Sequence, residues 1–240
     1  MNLRLDKLIS SQCGLSRKET HVAIRLGRVT VNGKAAIGFA VNVDPQKDDV
    51  RLDGCAVSYK KYVYLMMHKP SGVLSASNDK SRQTVVDLVP RELYRNGLVP
   101  VGRLDKDTTG LLLLTDDGDF VHDVISPKKR VPKSYLVELD GTLTEDLPEV
   151  FKNGVVLADG TVCRPAKLEI LAPTRARLIL CEGKYHEVKR MFGTVGLGVV
   201  TLHRESLGDL GLPDDLKAGE VVEIGEKEVL MAKRTMQYTF

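Results

Sequence analysis

Val101-Gly102-Arg103-Leu104-Asp105-Lys106-Asp107-Thr108-Thr109-Gly110 runs without a break into Leu111-Leu112-Leu113-Leu114-Thr115. A polar turn therefore feeds a fully apolar run of strand length, and a run that does not alternate marks a strand covered on both faces. Working outward, Tyr62–His68, Val85–Val89, Tyr135–Leu139, Ala176–Cys181 and Val221–Ile224 read as further short strands among a few helices. The pattern predicts an α+β domain over about residues 62–234, built on an extended mixed or antiparallel sheet flanked by helices. Asp105 sits at the mouth of the central strand. Loops held against a rigid strand are where chemistry is commonly positioned, although an Asp in a turn also commonly bonds its own backbone.

The N-terminal part is patterned differently. Leu5, Leu8 and Ile9 recur at helical spacing, and Gly14 stands where a left-handed residue would stop that helix. Ser16 with Glu19 three residues on is a capping-box pattern that starts a second helix, which Gly27 ends. Asn32-Gly33 follows Arg28-Val29-Thr30-Val31, and Asp53-Gly54 separates Val50-Arg51-Leu52 from Cys55-Ala56-Val57. Both dipeptides signal type I′ hairpin turns. Two short helices and a small sheet thus form a module over residues 1–58, joined by 59–61 to the second domain. Through Lys34 it carries seven basic residues (Arg4, Lys7, Arg17, Lys18, Arg25, Arg28 and Lys34) against Asp6 and Glu19. Its local surplus of +5 leaves the remainder at −2, so a polyanion meets this end first. Ser16, Arg17, Arg25 and Arg28 lie near the hairpin and can converge on one surface; a solvated charged face is the alternative.

Composition excludes several classes. The chain has 240 residues, 42% hydrophobic and 28% charged, with 21 Gly and 10 Pro, which rules out collagenous, low-complexity and largely disordered proteins. No apolar run reaches the ~18 residues of a membrane span. The first residues hold no unbroken apolar stretch, which predicts no secretory signal and a cytoplasmic location. Cys13, Cys55, Cys163 and Cys181 are scattered without a C-x-x-C and read as reduced, buried thiols. Asp105, Asp107, Thr109, Gly110 and Asp116 resemble a calcium loop in spacing. Thr109 at the fifth position, the short Asp116 at the twelfth and the absence of an entering helix argue against one. His186-Glu187 lacks the second histidine of a zinc helix. No metal or other cofactor is implied, monomer is the default, and Thr235–Phe240 is a tail without a motif.

Two resemblances sharpen this reading. Arg4-Leu5-Asp6-Lys7, Ser16-Arg17, Ile24-Arg25, Gly27-Arg28-Val29 and Val31-Asn32-Gly33-Lys34 resemble the S4 RNA-binding domain. Gly102-Arg103-Leu104-Asp105, with Thr108 and Gly110-Leu111-Leu112, resembles the central motif of the RNA pseudouridine synthases. Lys69-Pro70-x-Gly72 before it resembles that family too, as do Lys133-Ser134-Tyr135-Leu136-Val137, Glu182–Phe192, Leu202-His203-Arg204-Glu205 and Leu216-x-x-Gly219-Glu220 after it. The order of motifs is similar to the family's small-subunit branch. The resemblance implies an isomerase that converts one uridine of 16S rRNA, expected at uridine 516, to pseudouridine. The alternatives are a 23S target and a non-catalytic S4-type ribosome-assembly factor.

The reaction breaks the N1–C1′ bond of a uridine within RNA, turns the base and rejoins it through C5. A carboxylate can attack C1′, act at C6 of the uracil or abstract a sugar proton, and each route needs it ionised. The resemblance assigns this role to Asp105. Burial beside phosphates disfavours the charge, so a cation must stand close. By the motif this is Lys189, where another subfamily carries Arg; a lysine keeps the charge and loses the bidentate fork. Arg190 is the alternative partner or a phosphate contact. Tyr135 resembles the family's active-site tyrosine, which stacks on the target base, and it is a candidate for moving the C5 proton; from spacing alone it reads as a core aromatic. Arg103 matches an arginine that fills the space left by the extruded uridine, extrusion being unavoidable in a stacked helix. Lys133, with Lys128-Lys129-Arg130, and Lys184 are read as RNA contacts. Lys69 and Pro70 are read as scaffold under the site, Pro70 fixing the turn after the Tyr62–His68 strand and Lys69 meeting either RNA or solvent.

Overall fold

In the computed structural model, which describes residues 2–235, the chain divides into two units. The first runs through Val63 and includes Val89–Leu98; the second comprises Tyr64–Leu88 and the chain from Val99 onward. Met1 and all of the tail after Thr235 lie outside the described residues.

The first unit holds β1 (Leu3–Arg4), α1 (Leu5–Gln12), α2 (Arg17–Arg25), β2 (Val29–Val31), β3 (Lys34–Ala35), β4 (Asn42–Val43), β5 (Val50–Leu52) and β6 (Cys55–Ala56). The Ser16 hydroxyl accepts from the Glu19 amide at 3.2 Å while the Glu19 carboxylate accepts from the Ser16 amide at 2.8 Å, the reciprocal cap that starts α2. Asn32 and Gly33 (φ 51° and 77°), like Asp53 and Gly54 (52° and 80°), take positive φ at both central turn positions. That geometry matches the twist of the strands they join, giving the antiparallel order β3-β2-β5-β6. The helices cover this sheet through Leu5, Leu8, Ile9, Ala23, Ile24, Val29, Val43 and Val50.

Val89–Leu98 joins this unit against expectation. Arg95 donates to the Ser11 carbonyl (3.0 Å), and Asn96 to those of Ser10 (3.1 Å) and Leu15 (2.9 Å). The carbonyls at the end of α1 lack intrahelical partners and take them from a distant segment, a pairing no local periodicity records.

The second unit holds β7 (Tyr64–Lys69), β8 (Val99–Pro100), β9 (Thr109–Thr115), α3 (Gly118–Ile125), β10 (Lys133–Leu139), α4 (Leu147–Lys152), β11 (Lys167–Ala172), β12 (Arg175–Leu180), α5 (Glu187–Thr194), β13 (Val199–Leu207), β14 (Leu210–Gly211), β15 (Val221–Glu223) and α6 (Glu226–Ala232). They build an α+β unit on one mixed sheet, ordered β11-β12-β10-β13-β9-β7-β15, with β14 on β13 and β8 on β9. The β13–β9 contact is parallel and the other pairings are antiparallel. Leu111–Leu114 of β9 are buried, Leu111 and Leu113 packing with Phe120, Val124, Val131 and Leu207, which explains the unbroken apolar run.

Val85–Val89 is not a strand. Val86–Leu88 form a 3-10 turn in which the Asp87 carboxylate accepts from both the Thr84 amide (2.8 Å) and its hydroxyl (2.9 Å). The valines are buried as their hydrophobicity demands, but local side-chain hydrogen bonding closes the backbone first.

Candidate active site

Asp105 lies in the turn between β8 and β9, and two side chains clamp that turn from β7 and the segment after it. Lys69 is fully buried, and its ammonium donates to the carbonyls of Pro70 (2.9 Å), Lys106 (3.1 Å) and Thr108 (2.9 Å). All three of its protons are used, so it is scaffold under the turn, as its position suggested, and meets neither RNA nor solvent. Burial lowers its pKa to about 8, against the pull of Asp107 and Asp105. Ser75 is the second clamp, its hydroxyl donating to the Leu104 carbonyl (2.8 Å) and accepting from the Leu104 amide (3.1 Å). No spacing signal reveals either clamp.

So held, the Asp105 carboxylate keeps 26% of its surface exposed. It lines a cleft of about 780 Å³, whose wall includes Arg103, Tyr135, Lys133, His186 and Arg204. Two basic groups approach it. His186 Nε2 is 3.5 Å from Oδ1 and Lys189 Nζ is 3.9 Å from Oδ2. Lys189 makes its hydrogen bonds to Asp107 instead, at 2.6 and 2.7 Å, and this holds the Asp107 carboxyl below the usual range. A lysine at this place thus bridges two carboxylates as a point charge and grips the nearer one. Arg190 is not a partner of Asp105: it pairs with Asp159, being the next residue of α5 and turned about 100° around the helix.

His186 is the residue to which sequence reading gave no role, meeting it in a failed zinc motif and within the Glu182–Phe192 stretch. It sits just before α5 in a left-handed conformation (φ 49°) and stacks on exposed Tyr185 at 3.9 Å. Its place between Tyr185 and a helix start was the available signal. Tyr135 is 7% exposed on β10, with its register partner Arg204 on β13, so both side chains stand on one face of the sheet. Lys133, two residues earlier, shares that side; its ammonium donates to the Val131 carbonyl (2.9 Å), and burial and Arg204 push its pKa down to about 8. Arg103 is exposed beside Asp105.

Lys184 departs from expectation. Its ammonium closes on Glu182 and stands 3.7 Å from Glu187, both carboxylates buried. Glu187 also accepts from the Lys184 amide at 2.9 Å, anchoring the start of α5, and its pKa is pushed up to about 7 by burial and by Glu182. Cys163 brings a thiol to the same two carboxylates, with ligand atoms within 4.8 Å of one another. Lys184 supplies the positive charge of that cluster.

In the first unit, Arg4 pairs with Asp6 at 2.7 Å and Arg28 with Asp53 at 2.5 Å, so these two of the expected RNA contacts are engaged. The Ser16 hydroxyl is likewise spent on its cap. Arg25 lies over the Phe39 ring at 5.4 Å. Among the described residues, Lys7, Arg17 and Lys34 have no acidic partner.

Comparison with known proteins bears on this geometry. Residues 63–194, which carry Asp105, Tyr135, His186 and Lys189, match the family model described as RNA pseudouridylate synthase. An uncharacterized RNA pseudouridine synthase of Bacillus subtilis, YtzG, is 43% identical over 95% of this chain and 97% of its own. The ribosomal small subunit pseudouridine synthase A of Escherichia coli is 40% identical over 95% of this chain and 98% of its own. A crystal structure of pseudouridylate synthase, 35% identical, superposes with a TM-score of 0.68 over 96% of this chain and 99% of that one. A matched segment that holds Asp105 and most of its cleft, and relatives alike almost from end to end, assign the protein: it belongs to the RNA pseudouridine synthase family, whose members are isomerases.

Proposed function

We propose that this enzyme converts a uridine of small-subunit rRNA, expected at uridine 516, to pseudouridine, with Asp105 as the reacting carboxylate. One observation carries the reading: Asp105 stands at an open cleft on a turn clamped by Lys69 and Ser75, with His186 and Lys189 at 3.5 and 3.9 Å. Clamping fixes the carboxylate in one place without spending its own oxygens, and the two nitrogens beside it leave it open toward the cleft. Tyr135 stacks on the flipped uracil, and Arg103, exposed beside Asp105, enters the space the base vacates. Lys189 holds Asp107 and adds positive potential at Asp105 without occupying it. The name of the Escherichia coli relative supports the small-subunit target.

Residues 1–58 serve, in the same proposal, as an S4-type RNA-binding module, joined through 59–61 to a catalytic domain over 62–234. The two helices, the capping box and the basic surplus before Lys34 support this. Arg17, Arg25, Lys7 and Lys34 meet phosphates directly; Arg28 exchanges its exposed carboxylate partner for phosphate at little cost, and exposed Arg4 swings from the half-buried Asp6, which keeps the Lys7 amide. Tritium release from C5-labelled 16S and 23S rRNA, followed by mapping of the modified nucleotide, tests the whole reading. Release from 16S rRNA alone is expected. Release from 23S rRNA alone moves the target, and none from either leaves only RNA binding.

A further inference from the structure

Arg204 is the most deeply buried arginine of the cleft, 2% exposed, and its surroundings do not satisfy it. Its Nε donates to the Leu111 carbonyl at 2.8 Å, Nη2 is buried without a hydrogen-bond partner, and no carboxylate among the described residues lies within ion-pair distance. A guanidinium has five donors, and a cation removed from water without an anion is costly to keep. The fold nevertheless holds it firmly. Arg204 pairs in parallel with Gly110, where a Cβ would lie 2.3 Å from the Arg204 carbonyl, so the strand leaving the Asp105 turn runs directly against it. Lys133 stands on the same side of the sheet with, among the described residues, only a carbonyl as hydrogen-bond partner, and both line the cleft with Asp105 and Tyr135.

Two underpaired cations at one cleft call for an anion, and the reaction generates one. We propose that Arg204 and Lys133 bind the carbonyl oxygens of the target uracil and stabilise the negative charge the ring acquires during isomerisation. The inference rests on Asp105 being the reacting carboxylate. It does not depend on which route Asp105 takes. If the N1–C1′ bond breaks first, its electron pair stays with the base and spreads from N1 onto O2 and O4. If the carboxylate adds at C6, the C5=C6 pair moves toward C4 and onto O4. On either route N1–C1′ breaks and C1′ joins C5. Loss of the C5 proton restores the C5=C6 bond, any bond the carboxylate made to C6 or C1′ is broken, any proton taken from the sugar is returned, and a proton is taken up at N1. The two cations keep their protons throughout and act as fixed donors aimed at developing charge.

The test is a cycle between protein and RNA. Target uridine in the rRNA fragment is replaced by 2-thiouridine or 4-thiouridine, whose sulfur accepts hydrogen bonds poorly, and single-turnover rates are measured for wild type, Arg204→Met, Arg204→Lys and Lys133→Met. Arg204→Met is expected to lower kcat by about 10²–10³-fold with KM changed far less, as for loss of one oxyanion donor. Arg204→Lys should recover part of the loss. The thio substitution that slows wild type should add no further penalty in the variant that lacks the contacting cation. Fully additive penalties at both carbonyls overturn the inference. So does a cycle that closes instead with a phosphorothioate 5′ to the target, which would assign the cations to the RNA backbone. If Arg204→Met does not melt cooperatively, Arg204→Lys and Lys133→Met carry the same cycle, and the same outcomes support or overturn the inference. A wild type that modifies neither rRNA, or an Asp105→Asn variant that turns over, breaks the parent reading instead and is seen before any thio substrate is used.

Discussion

The two units hold their positive charge in opposite ways. In the first, the cations are many and exposed: Arg4 and Arg28 rest in ion pairs open to water, and Lys7, Arg17 and Lys34 have no acidic partner among the described residues. In the second, three cations around the Asp105 turn and its cleft are largely removed from water. Lys69 is spent on three carbonyls, Arg204 on one, and Lys133 on one, with Lys69 and Lys133 both pushed down to about 8. Exposed charge is screened and exchangeable, which suits holding a long polyanion. Buried charge is oriented and hard to replace, which suits a reacting centre. A count of basic residues points to the first unit; most of the segment that matches the synthase family lies in the second.

The sharpest break is Asp105→Asn, expected to bind RNA with near wild-type affinity and to give no tritium release above background. Turnover by this variant would remove Asp105 from the reaction. Next is Lys69→Met, which strips donors from three carbonyls and should cost about 2–4 kcal/mol of stability, read from the denaturant midpoint. A change within about 0.5 kcal/mol would mean the clamp is ornamental.

A third prediction concerns pH. Lys133 faces Arg204 from β13, Cys181 after β12 and Glu187 from α5, and its lowered pKa means the charged form is present below about 8 and lost above it. The single-turnover rate should fall above that pH, and Lys133→Arg should move the fall upward. A limb that stays in place assigns it elsewhere.

A fourth is smaller. Glu187 has a folded pKa raised from 4.5 to about 7, so the folded chain binds a proton that the unfolded chain releases between those values. Stability from this carboxyl is therefore present below the unfolded value and declines as pH rises through about 7. Glu187→Gln should lose that decline and melt higher than wild type at pH 8, by roughly 2–4 °C for each 1 kcal/mol.

The smallest effects belong to the exposed unit. Arg17→Ala with Arg25→Ala should weaken RNA binding and reduce the salt slope by about 1–2, one phosphate contact being worth about 0.7–0.9. Arg28→Ala, which breaks an exposed pair with Asp53, should change stability by less than about 1 kcal/mol.

What could be read in advance was read from short-range chemistry. The Ser16–Glu19 cap, the Asn32-Gly33 and Asp53-Gly54 turns and the apolar β9 run each specify their structure within a few residues. Misreadings began where distant partners intervened or a local competitor won. Lys69, read as scaffold, donates inward to Lys106 and Thr108 rather than to RNA or solvent, Arg190 meets Asp159 rather than Asp105, and Val89–Leu98 caps a helix near the N-terminus. Val85–Val89 failed for the local reason, a side chain closing a turn inside an apolar run.

By itself, then, the chain's order of residues determined its turns, caps and buried strands, including the turn that carries Asp105, because these depend on backbone sterics and hydrophobicity over a few positions. Only the tertiary structure decided which cation serves which anion. Charge is long-ranged and indifferent to sequence separation, so whether a lysine ends as a clamp, a bridge or an open contact depends on which strands the sheet brings side by side.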